Sequence, residues 1–137
     1  MINPDIVPIT GWNIINEEVG GRHSYLIEYY KRCRSGEILI GRELQTTLES
    51  LVQDYLYHSD IYRFELEGAH KRIQFIEREI KHFESPFAGK PFLLTLNQKA
   101  IAEAVFGFFV FDDKLLGGGR WVRRFKEVLL LIARKNG

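Results

Sequence analysis

The chain has 137 residues, 45% of them hydrophobic and 13% aromatic, which excludes a disordered, collagen-like or low-complexity polypeptide. A chain of that length buries roughly two-thirds of its unfolded surface, so it supports one ordinary core, or one domain and a piece of another, rather than two full domains. Its 19 basic and 18 acidic side chains leave a formal net charge of +1, so no global field draws in nucleic acid or anionic lipid and any such contact needs a local patch.

Residues 1–22 carry Pro4, Pro8 and the pair Gly20 and Gly21 without sustained periodicity, which predicts an irregular N-terminal arm draped over another part of the protein. The same stretch lacks a basic segment followed by an apolar run and does not read as a signal peptide. Cys33 is the only cysteine, so neither an internal disulfide nor a Cys-based zinc site is expected, in keeping with a reducing cytoplasm. It falls on an apolar stripe, where packing is the default over reactivity. The longest apolar runs, 104–111 and 128–133, fall short of the roughly 20 residues that span a bilayer, so no membrane association is expected.

A helical unit is predicted over 23–85. Ser24 is the expected N-cap, Leu26, Tyr29, Tyr30 and Cys33 follow at i, i+3, i+4 and i+7, and Gly36 supplies the stop. Leu44, Leu48, Leu51, Val52, Tyr55 and Leu56 form a second stripe, with Arg42, Glu43, Glu49 and Gln53 elsewhere on the helix. Ala69, Ile73, Ile76, Ile80 and Phe83 form a third, closed by Ser85 and Pro86. The stretch 85–95, with two prolines and a glycine, changes character and marks a subdomain boundary.

In the second part, 86–137, Thr95-Leu96-Asn97-Gln98 fits a capping box and predicts a helix beginning at Thr95 with Ile101, Ala104, Val105 and Phe108 on its apolar face. Asp112, Asp113 and Gly117 to Gly119 predict a turn or flexible loop. The unbroken apolar run 128–133 reads as a parallel strand buried on both faces. Such a strand needs neighbours and covering layers, and four residues later the chain ends, so the reading is of a polypeptide cut inside a second domain. A buried strand running into Arg134, Lys135, Asn136 and Gly137 is how a phosphate-binding loop begins. On the pattern G-x-x-x-x-G-K-[ST], Gly137 takes the second glycine and Ile132 stands where the first would be.

Taken in order, these segments resemble the N-terminal part of the large terminase subunit of tailed bacteriophages, the ATP-driven motor that packages DNA into procapsids. The resemblance covers most of the chain. It rests on a Tyr-rich helix followed by Ser-Gly-Glu (Tyr25 to Glu37), an aromatic- and Glu-rich helix (Phe64 to Glu84), and a Gly-Lys-Pro-Phe-x-Leu segment (Gly89 to Leu94). It continues with Gln98 opening a helix that ends in Phe106-Gly107, and with an Arg-rich strand leading into Arg134 to Gly137.

The resemblance implies a mainly α chain: a small helical N-terminal unit plus the first helix and first strand of a truncated P-loop (RecA-like) α/β ATPase domain. It gives Gln98 the role of the adenine-reading glutamine, and a carboxamide can pair bidentately with adenine. Phe92 would wall the base. Arg134, Lys135, Asn136 and Gly137 would form the first half of a variant Walker A loop that dispenses with the first glycine; where the family often has Pro-Trp before the glutamine, this chain has Leu96-Asn97. ATP and Mg2+ would bind the full-length parent, and viral double-stranded DNA, the small terminase subunit and the portal or procapsid would be its partners in the bacterial cytoplasm. The Walker A lysine, the magnesium-binding hydroxyl, the catalytic carboxylates and a nuclease domain would all lie downstream, so this polypeptide alone is expected to hydrolyse neither ATP nor DNA.

Other readings compete at several of these residues. The capping box accounts for Gln98 without a ligand. Arg120, Arg123, Arg124 and Lys126, with Trp121 among them, form a candidate DNA-binding patch or the exposed start of a strand. Glu67-x-x-His70 and Glu79-x-x-His82 each fit the element of di-iron bundles, but they lie 12 residues apart on one helix, about 18 Å, and cannot share a metal pair. The alternative for the whole chain is a self-contained small helical module that binds DNA or a protein without enzymatic activity. The two readings differ at 128–133: a fragment would leave that stretch disordered, in an improvised hairpin, or paired with a second copy in a non-native homodimer, whereas a self-contained module would bury it.

Overall fold

The computed structural model describes residues 9–83, 86–114 and 117–130, of which about 46% are helical. After a short 3-10 turn, Trp12–Ile14, strands β1 (Glu18–Val19) and β2 (Arg22–His23) pair antiparallel. Helices α1 (Tyr25–Arg34) and α2 (Arg42–Tyr57) follow, then strand β3 (Tyr62–Phe64) and helix α3 (Glu67–Glu79). Helix α4 (Leu96–Gly107) runs directly into β4 (Phe108–Asp112), and β5 (Arg120–Arg123) returns beside it. The second sheet has the order β3-β4-β5 and is antiparallel throughout. No helix among the described residues is long and apolar enough to cross a membrane.

The helices form where capping and apolar spacing call for them. Ser24 Oγ accepts from the Ile27 amide at 3.2 Å at the start of α1, and Gly36, at φ 85°, turns the chain out of its end. At α4 the Thr95 amide donates to Gln98 Oε1 at 3.0 Å, so the capping box closes as its residues require. Leu26, Ile27, Tyr30, Leu48, Val52, Ala100 and Phe108 meet in one core that draws on both sides of the 85–95 stretch. Phe64 and Phe108 stack there with ring centroids 4.4 Å apart. Gly107 lets the helix end this close to β3: a Cβ on it would sit 3.0 Å from the Glu65 carbonyl oxygen and 3.1 Å from the Phe64 ring.

The sheets correct the mainly α expectation: the fold is mixed α/β with two small antiparallel sheets. Gly20 and Gly21 take φ of 58° and 78°, both left-handed, and close a two-residue hairpin inside the arm expected to be irregular. Strand β4, Phe-Phe-Val-Phe-Asp, carries large apolar residues on both faces, so it has none of the alternation that betrays a half-buried strand. Of the loop expected at 112–119, Asp112 instead closes β4 opposite Arg120, and 113–114 and 117–119 lie between β4 and β5.

Three local expectations are also corrected. Helix α3 ends at Glu79, because Ile80 is extended and its carbonyl accepts from the Phe92 amide at 3.1 Å while Lys81 bridges to Pro91. Ile80 and Phe83 are therefore exposed rather than part of the stripe. Glu49, assigned to the polar side of α2, is completely buried. The expected strand 128–133 takes no ladder partner at 128–130, and residues 131–133 lie outside the described residues.

Candidate functional site

The first turn of α4 is held from three directions. Its own capping box orients Gln98, whose carboxamide oxygen accepts from the Thr95 amide and keeps a second lone pair. From α3, Glu77 Oε2 accepts from the Leu94 amide at 2.9 Å and lies 3.7 Å from Lys99 Nζ, so one carboxylate ties the approach to the helix and its first turn to α3. Phe92, two residues before Leu94, packs its ring 5.0 Å from that of His82 on the segment that returns beside it. Phe92 and Gln98 thus belong to one short stretch braced by α3. Glu77 escaped sequence reasoning because a glutamate on a solvated helix face carries no signal of a long-range amide partner.

Beside this turn lies an apolar hollow of about 390 Å³ between α1, α2, α4 and the segment after β5. Leu26, Leu48 and Ala104 line it from the helices, Asn97 from the first turn of α4, and Phe125 and Val128 from the terminal segment. The start of α4 and the chain leading to residue 131 therefore share one concavity. Arg134, Lys135, Asn136 and Gly137 lie outside the described residues.

The candidate DNA-binding cations do not converge. Arg120 and Arg123, three residues apart on β5, lie on opposite faces of the sheet. Arg124 donates to Asp54 Oδ2 at 2.7 Å and sits 4.0 Å from the centre of the Tyr62 ring, which anchors α2 to the sheet. Lys126 is exposed beyond the strand.

Two buried glutamates are the residues that the pattern missed. Glu103, fully buried on α4, reaches the start of α1: its carboxylate accepts from the Tyr25 amide at 2.8 Å, the Leu26 amide at 2.9 Å and the Ser24 hydroxyl at 3.3 Å. His70 Nε2 on α3 lies 2.9 Å from the same carboxylate. One side chain from a distant helix thus satisfies amides that no helix can satisfy for itself and sets a negative charge at the positive end of α1. It joins α1, α3 and α4.

Glu49 is different. Its Oε1 lies 3.4 Å from both Arg34 Nε and Gln45 Nε2, but Oε2, the Tyr30 hydroxyl and Arg34 Nε are buried without a hydrogen-bond partner. Burial first, and then the neighbouring Glu49 charge, push the Tyr30 phenol well above its ordinary range. Because this cluster is only partly satisfied and Arg34 still reaches solvent, Glu49→Met is expected to change stability by less than about 1 kcal/mol. Urea unfolding measures it, and a loss above about 3 kcal/mol, the range for breaking a well-paired buried charge, would contradict the assignment.

For metals, the two Glu-x-x-His elements are dispersed: Glu67 pairs with Lys71, His70 with Glu103, Glu79 with Arg78, and His82 with the rings of Phe87 and Phe92. Glu17, His23 and Glu28 bring ligand atoms within 4.8 Å of one another. His23 Nε2 faces Glu28 at 2.6 Å while Nδ1 faces Glu17 at 3.8 Å, so the ring bridges the carboxylates instead of aiming with them at one point. Lys31 and Arg32 lie 3.4 and 3.2 Å from the same two carboxylates, making this an ion-pair network. Burial pushes the Cys33 thiol up, consistent with a packing role.

No protein-family model, curated protein or solved structure matches the chain.

Proposed function

We propose that the chain is the N-terminal part of a tailed-phage terminase large subunit, with Gln98 reading adenine, Phe92 walling the base, and Arg134, Lys135, Asn136 and Gly137 opening the phosphate loop. The observation that carries the reading is the state of the apolar run. Val128, Leu129 and Leu130 expose 50%, 82% and 53% of their surface, the condition of a strand whose sheet is supplied by further chain and the opposite of what a self-contained helical module needs. In this reading ATP and Mg2+ bind the parent, double-stranded viral DNA is its substrate, and the helical unit faces the small subunit, the portal or the DNA in the host cytoplasm.

The codons after Gly137 are expected to read Lys and then Ser or Thr, and a stop with no related downstream frame would refute the proposal. In the chain extended through a complete ATPase domain, Gln98→Glu is the informative variant. Glutamate keeps the capping-box acceptor but loses the amide donor that adenine requires. Losing one good bidentate base contact corresponds to about 1–3 kcal/mol of discrimination, or roughly 5- to 150-fold. ATP preference over GTP in the ATPase assay is expected to fall by that factor with the melting temperature held, whereas unchanged preference would remove Gln98 from the site. The 137-residue chain itself is expected to show no ATP hydrolysis.

A further inference from the structure

The antiparallel register of the second sheet sorts its side chains into two unlike faces. Tyr62, Phe64, Phe108, Val110 and Val122 share the inner face, and Arg63, Phe109, Phe111, Trp121 and Arg123 share the outer one. On the outer face arginines and rings are interleaved. Arg63 sits 4.2 Å above the centre of the Trp121 ring, Phe111 meets Trp121 edge-on at 5.5 Å, and Arg123 and Arg72 hold Phe106 at 5.5 and 4.6 Å. All three arginines are exposed. A hollow of about 420 Å³ opens between this face and α3, and Lys71 lines it with Arg72, Phe106, Phe109 and Arg123.

We propose that this outer face binds single-stranded nucleic acid. The charge balance favours a polyanion: among the described residues, Arg63 and the hollow's Lys71, Arg72 and Arg123 stand against the hollow's two carboxylates, Glu65, which lies 3.8 Å from Arg63, and Glu67, which lies 3.2 Å from Lys71. In a chain whose formal net charge is +1, that is a local concentration of positive charge. The aromatic component selects the kind of polyanion. Bases stack on aromatic rings and on guanidinium groups laid over them, at roughly 1–3 kcal/mol per base, and only an unpaired strand can present its base faces. A duplex hides them and would engage the cations alone. The arginines are preorganised for the phosphates, because packing on Trp121 and Phe106 restricts them before any ligand arrives. This inference is independent of the nucleotide reading of α4, since it uses none of the same residues.

The test uses the whole chain and a fluorescein-labelled oligo-dT of roughly 15 nucleotides, within the usual range of single-strand site sizes. Binding is expected to raise the anisotropy and to quench tryptophan fluorescence, and the quench is expected to be absent in Trp121→Phe. Arg72→Ala with Arg123→Ala is expected to weaken binding about tenfold and to lower the salt slope by roughly 0.7 for each phosphate contact removed. Each substitution made singly should give a smaller loss. Arg42→Ala, at the exposed start of α2 and outside the lining of this hollow, is expected to bind as the parent does, and duplex DNA of equal length about tenfold more weakly. The proposal is overturned if oligo-dT does not bind at low salt, if duplex binds as tightly as the single strand, or if the arginine variants, melting as the parent does, bind undiminished.

Discussion

Glu103→Ala is expected to destabilise the protein by about 3–5 kcal/mol, the range for removing one partner from a well-satisfied buried charge cluster. The magnitude follows from what is left behind. The Tyr25 and Leu26 amides, the Ser24 hydroxyl and the His70 imidazole all converge on this carboxylate. Without it, buried donors at the start of α1 lose their acceptor, and each stranded group costs about 1–3 kcal/mol before the structure relaxes. The methyl side chain also leaves a void between α1 and α4. A loss of that size lowers Tm by roughly 10–20 °C for a domain of intermediate length. Glu103→Gln separates charge from shape: its amide nitrogen would be forced against donors, so it too is expected to lose more than about 1 kcal/mol. If urea denaturation showed Glu103→Gln as stable as the parent, the carboxylate would be a bystander. Glu49 is equally buried but poorly hydrogen-bonded, so among the volume-keeping variants Glu103→Gln is expected to cost more than Glu49→Met.

Phe108→Ala is the second large effect, at about 3–5 kcal/mol for a buried phenylalanine truncated in a packed core. Phe108 is completely buried, stacks on Phe64 with an interplanar angle of 15°, and opens β4 immediately after the helix. Its carbonyl accepts from the Arg124 amide at 3.0 Å, so the residue joins β3, α4 and the segment after β5. The consequences should be regional. Hydrogen exchange is expected to speed up first in β3, β4 and β5, with α1 and α2 remaining protected near the variant's global stability. Uniform loss of protection would show that the sheet is not a separable cooperative unit, and a change below about 1 kcal/mol would deny Phe108 its place in the core.

Legibility followed the range of the interactions. The start of α1 at Ser24, the turn-out at Gly36 and the capping box of α4 depend on groups within four residues of one another, and such local chemistry can be read directly from residue types and spacing. The stripes of α1 and α2 were legible for the same reason, because a helix of period 3.6 presents one side to any core. Around the candidate site only the local half was legible: the capping role of Gln98 could be read from its position, while Glu77, which braces the same turn from α3, could not. Strand β4 was hidden by its own composition. Phe109 and Phe111 face outward as Phe108 and Val110 face inward, so apolar residues occur on both sides and the alternation vanishes.

By itself, then, the order of residues determined where α1 and α4 begin, which sides of α1 and α2 are apolar, and that the acidic and basic groups nearly balance, whereas the helix expected from Phe64 begins only at Glu67 because Phe64 pairs in β3. Only the tertiary structure decided that Glu103 and Glu49 are buried, that the cations of β5 divide between two faces, and that Arg63, Arg72 and Arg123 assemble around Trp121 and Phe106. The physical reason is one of distance along the chain. A cap or a turn is completed by its neighbours, whereas the fate of a charged side chain depends on partners tens of residues away, and Glu103 meets Ser24 across 79 positions.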